Sequence, residues 1–110
     1  MASIPPRVLY VSATALQALF NFGPLPEMIT RGDLEPQYLR DSHLKNPEER
    51  GELPCTRGQM IRYSVPGGHW VVETFHFERR DRSVGASGLH DPKRINEGDT
   101  IFVALRPAGL

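Results

Sequence analysis

Two β-rich runs around a proline–glycine corner constrain this chain more than any other feature. Residues 59–65 read QMIRYSV, residues 70–79 read WVVETFHFER, and Pro66-Gly67-Gly68-His69 lies between them. β-Branched and aromatic side chains fit a pleated, half-buried surface, and Pro-Gly steps punctuate it, so the segment predicts an antiparallel hairpin. A four-residue loop sets Val65 opposite Trp70, Tyr63 opposite Val72 and Ile61 opposite Thr74. The other face then pairs Arg62 with Glu73 and Met60 with Phe75. A slip of one residue sets Arg62 against Val71 or Val72 and loses that charge match. Along the second run, Trp70, Val72, Thr74, His76 and Glu78 share one side, and Val71, Glu73, Phe75 and Phe77 the other. Neither side is cleanly polar, so both are expected to be partly covered.

The flanking sequence supplies the rest of the expected fold. Residues 8–11 read as a strand. Leu16, Leu19 and Phe20 recur at helical spacing before Gly23-Pro24, which predicts a helix over 13–21. Pro26 and Gly32 bracket one helical turn, 27–31, and Pro36 starts a short helix, 37–44. The stretch 51–58 reads as loop, and DRSVGASGLHDPK, residues 81–93, reads as a connector rich in turn formers. After the turn Asn96-Glu97-Gly98-Asp99, the apolar run IFVAL predicts a central or well-covered strand over 100–105. The expected fold class is α+β. A small antiparallel sheet of three to five strands centres on the 59–65/70–79 hairpin, one N-terminal helix packs on it, and the proline-rich 24–58 segment wraps it irregularly. At 110 residues, 39% of them hydrophobic, 1–110 is expected to be a single domain.

Thirteen basic and thirteen acidic side chains cancel. This argues against binding nucleic acid through bulk charge alone, but the charge is uneven. Residues 79–94 carry Arg79, Arg80, Arg82, Lys93 and Arg94 against Asp81 and Asp91. The lone Cys55 excludes an intrachain disulfide, and no basic leader or spanning apolar run precedes the first strand. A cytoplasmic protein without membrane contact is expected.

Three constellations carry chemistry. Ser83-Val84-Gly85-Ala86-Ser87-Gly88 has the composition of a backbone anion cradle and lies between basic runs, but it lacks the spacing of a P-loop. His76 and Glu78, at i and i+2, join His90 and Asp91 as a His/His/carboxylate set. As a metal site these would be ligands, although no established metal-binding spacing is present. Trp70, Tyr63, Phe75 and Phe77 match a base-stacking platform, but a core this small needs such rings, and they are assigned to it.

The first functional expectation is a small non-enzymatic binding, adaptor or inhibitor-type protein. It would contact an anionic partner, a nucleic acid or an acidic protein surface, through the basic loop 79–94. The contacts would be Arg79, Arg80, Arg82, Gly85, Ser87, Gly88, Lys93 and Arg94. The alternative is a metal-independent ribonuclease of toxin type. His76 and His90 would be its acid–base pair, Glu73 or Glu78 an orienting or alternative base, and Arg79 or Lys93 the phosphate clamp. That alternative requires the two imidazoles within about 7 Å of each other. No cofactor or metal is expected. A mixed sheet surface is compatible with a homodimer through an uncovered face or an edge strand.

Overall fold

A computed structural model describes residues 5–85 and 90–105. The elements run β1 (Arg7–Val11), α1 (Ala13–Asn21), α2 (Leu25–Thr30), β2 (Glu35–His43), a 3-10 turn (Pro47–Arg50), β3 (Arg57–Ser64), β4 (Trp70–Glu78), β5 (Asp91–Glu97) and β6 (Thr100–Ala104). The strands form one six-stranded sheet in the order β1-β6-β5-β4-β3-β2. All pairs are antiparallel except β1 with β6, which is parallel.

This corrects the expected fold class. The sheet is mixed and has six strands, not three to five antiparallel ones, and two helices stand where one was expected. Both extra strands lie in segments without strand-like composition. β2 (EPQYLRDSH) stands where the short helix 37–44 is expected, yet it pairs along β3 from Glu35↔Ser64 to His43↔Arg57. It is an edge strand, where Pro36 is tolerated, and it is exposed throughout. β5 (DPKRINE) spans the end of the expected connector 81–93 and the start of the expected turn 96–99, yet it lies between β4 and β6 and satisfies the backbones of both. Its one large aliphatic side chain, Ile95, is buried. Tertiary pairing here overrides local preference.

The hairpin forms with the expected register from Tyr63↔Val72 through Ile61↔Thr74 and Met60↔Phe75. The turn is tighter than expected. Gly68 N–H donates to the Val65 carbonyl at 2.8 Å, with Pro66 at the second turn position and Gly67 at φ +68°. Those are the residues a type II turn requires. The register therefore shifts at the end, and Ser64, not Val65, faces Trp70.

Helix α1 begins at Ser12, whose hydroxyl accepts the Ala15 N–H at 3.1 Å. It packs on β5 and β6. Leu16 and Phe20, one turn apart, are buried with Leu34, Ile61, Tyr63, Val71, Val72 and Ile95, and Leu25, Met28 and Ile29 pack against that cluster. Both helices thus cover one side of the sheet. Strand alternation sends Gln59, Ile61, Tyr63, Val72, Thr74 and His76 to that side, and Met60, Arg62, Glu73 and Phe75 to the other. Among the described residues no helix is long and apolar enough to cross a membrane.

Candidate functional site

The side of the sheet away from the helices carries a polar row across three strands, ending against an apolar residue on the fourth. Arg62 on β3 pairs with Glu73 on β4, Glu73 with Arg94 on β5, and Arg94 with Val103 on β6. A second row runs Arg40, Met60, Phe75 and Asp91. The rows border two adjoining hollows of about 500 and 600 Å³ that share Arg40, Met60, Asp91 and Lys93. Arg50 lines one hollow, and Arg62, Glu73 and Arg94 line the other. Among the described residues, five cations therefore surround two carboxylates.

Pairing leaves much of that positive charge available. Glu73 is buried and meets Arg62 Nη2 at a long 3.4 Å, while Arg62 Nε has no acceptor among the described residues. Lys93 Nζ lies 2.7 Å from Asp91 Oδ2. Among the described residues Arg40, Arg50 and Arg94 form no ion pair. The Arg62 guanidinium lies 5.6 Å from the centroid of the Trp70 ring. Of the four rings assigned to the core by sequence, only Tyr63 joins it. Phe75 and Phe77, packed edge to face, line the 500 Å³ hollow.

The basic segment 79–94 is not one surface. Arg79, Arg80 and Arg82 lie at a tight turn closed by Arg79 N–H to the Ser83 carbonyl and Arg82 N–H to the Arg79 carbonyl, both 2.8 Å. They border a hollow of about 390 Å³ with His43, Cys55, Arg57 and Glu78, whereas Lys93 and Arg94 line the hollows on the sheet. Arg79 is held at 3.1 Å by Glu52, whose side chain is fully buried. Asp81 accepts both the Ser83 hydroxyl and its N–H, and these bonds hold its carboxyl below the usual range. Arg80 and Arg82 remain exposed.

The described part of the expected anion cradle is already occupied. Gly85 N–H donates to the Phe77 carbonyl at 2.7 Å, and Ser83 N–H goes to Asp81. A Cβ on Gly85 would lie 2.7 Å from Phe77 Cβ and 2.8 Å from the Glu52 carboxylate oxygens. Glycine is required there for close packing, and a buried carboxylate faces it instead of an incoming anion. Ser87 and Gly88 lie outside the described residues.

The sheet does bring His76 and His90 together. His76 sits opposite Gln59, and its Nε2 lies 2.7 Å from Gln59 Oε1. The amide oxygen accepts, so Nε2 carries the proton and Nδ1 presents a lone pair. That Nδ1 lies 3.3 Å from His90 Nδ1. His90 is held from the helix side, where Gln17 Nε2 donates to its carbonyl at 3.0 Å and the Phe20 ring lies edge-on at 6.1 Å. Burial lowers the His76 pKa, with Asp41 opposing. Burial and then His76 push His90 down to about 4.

This arrangement gathers only part of the ribonuclease set: Lys93 lines the 500 Å³ hollow together with His76, but the other members lie elsewhere. With the imidazoles in direct contact, no phosphate fits between an acid and a base. Glu73 is on the opposite side of the sheet with Arg62. Glu78 sits opposite Arg57 and lines the hollow at the arginine turn, and Arg79 is tied to Glu52. Sequence reasoning also missed a polar strip beside Gln59. Arg57 Nε lies 2.6 Å from Asp41 Oδ1, and Arg57 Nη1 lies 3.2 Å from His43 Nε2. The bond from Arg57 holds the Asp41 carboxyl below its ordinary pKa. Strand pairing of β2 was the missing signal, because as a helix this segment does not align Asp41 and His43 with β3.

Comparison with family models, with curated proteins and with solved structures returns no match.

Proposed function

We propose that the protein is a small non-enzymatic binding protein whose anionic partner, a single-stranded nucleic acid, lies across the sheet face away from the helices. One observation carries this reading. Among the described residues, Arg40, Arg50, Arg62, Lys93 and Arg94 surround hollows whose lining carboxylates are Glu73 and Asp91, and three of those arginines have no ion partner. Phosphate neutralisation supplies most sequence-independent affinity, and rings on the same face add base stacking. Phe75 and Phe77 line one hollow, and Trp70 lies under Arg62. This combination favours a nucleic acid strand over an acidic protein surface, which has no use for stacking rings. The arginine turn, with exposed Arg80 and Arg82, forms a second, separate contact.

Fluorescence anisotropy with a labelled single-stranded RNA or DNA oligonucleotide tests the proposal. Binding should be saturable and should weaken as salt rises. An acidic polypeptide of equal charge should bind more weakly than the oligonucleotide, and the reverse order would reassign the partner to a protein. The same RNA should stay intact in the presence of a chelator. Cleavage lost in His76→Ala would overturn the non-enzymatic reading.

A further inference from the structure

The His76–His90 contact is poor as a hydrogen bond. Its nitrogens are 3.3 Å apart, beyond the usual range for such a donor. The ring centroids are 5.0 Å apart, whereas a head-on N–H···N bond at that separation would hold them about 5.6 Å apart. The two nitrogen axes are therefore not collinear. Two imidazole nitrogens on a tetrahedral zinc, each at about 2.0–2.1 Å, lie about 3.3 Å from one another.

We propose that Nδ1 of His76 and Nδ1 of His90 chelate a borderline divalent cation of the zinc type. The environment suits the ligand role. Metal-bound histidine characteristically donates its other ring N–H to a carbonyl or carboxylate, which fixes tautomer and orientation. Gln59 Oε1 does this for His76 at 2.7 Å. His90 is anchored through its backbone by Gln17 and against Phe20, so its ring direction is set by helix α1. Among the described residues no third histidine, cysteine or carboxylate joins the pair. The remaining positions belong to water or to a bound partner, so the site is open and modest in affinity.

The experiment is zinc titration of chelator-stripped protein, followed through the histidine ring nitrogens by NMR. Stoichiometric zinc should move the Nδ1 resonances of His76 and His90 and leave those of exposed His69 unchanged. Calorimetry should give one site per chain, abolished by His76→Ala or His90→Ala and retained in His43→Ala. Gln59→Leu should weaken zinc about tenfold while both imidazoles still respond. Unmoved His76 and His90 resonances at a tenfold zinc excess would overturn the site. So would calorimetric binding that survives both alanine substitutions. Should the alanine variants fail to fold, the wild-type NMR titration decides alone.

Discussion

The two sides of the sheet are made from the same strands and do opposite things. On the helix side, Ile61, Val72 and Ile95 meet Leu16 and Phe20, and little is left for solvent. On the other side the alternate residues of the same strands are Arg62, Glu73 and Arg94, with Arg40 from the edge strand. A sheet needs only one buried face to fold. The second face is free to carry charge, and here it carries more cations than local carboxylates balance. The contrast teaches that stability and binding should separate cleanly by face.

The largest effect should come from the helix side. Phe20→Ala removes a fully packed ring and should cost about 3–4 kcal/mol in chemical denaturation. A loss below about 1 kcal/mol would mean the helix barely contributes to the core.

Acid should act next, again through the helix side. His90 has a folded pKa of about 4 against an ordinary value of 6.5, and His76 is lowered too. In that window the unfolded chain binds more protons than the folded one. The histidine contribution to the stability of metal-free protein should be complete above about pH 6.5, fall between 6.5 and 4, and be exhausted below, by at most about 3 kcal/mol from His90, with protonation of Asp41 and Asp81 lowering stability further in stronger acid. Denaturation midpoints across pH in a chelator check this, and His90→Gln should flatten the fall.

A smaller effect of opposite sign is expected at Thr74. Its hydroxyl is buried on the helix side without a partner among the described residues, so Thr74→Val should stabilise by about 1 kcal/mol. On the open face, Arg40→Glu and Arg94→Glu should each change stability by less than about 0.5 kcal/mol, because neither makes an ion pair among the described residues. A large thermal shift there would erase the distinction between the faces.

Legibility in the sequence followed how local each signal was. The hairpin register was readable because Arg62–Glu73 and Tyr63–Val72 are cross-strand pairs separated by one turn. Helix α1 was readable from Leu16 and Phe20. β2 and β5 were not, because Glu35–His43 and Asp91–Glu97 carry few β-formers and become strands only by completing hydrogen bonds for β3, β4 and β6. The candidate site suffered from the same gap. Lys93 and Arg94 were singled out and Arg62 was placed by the hairpin, but Arg40 and Arg50 come from the segment reorganised by β2, and Arg94 meets Glu73 only once β5 lies beside β4. His76 and His90 were linked by residue type alone, and their contact emerges only once β5 is laid beside β4.

Charge reversal on the open face, read by oligonucleotide anisotropy across a salt series, goes straight to the division of labour between the two sides. The wild type should bind with a log-affinity slope of about −2 to −3 against log salt, as expected for three or four phosphate contacts on a single strand. The Arg40→Glu/Arg94→Glu variant should retain its melting temperature, lose at least about tenfold in affinity and show a shallower slope. Unchanged affinity and slope in a folded double variant would show that this face does not meet the nucleic acid.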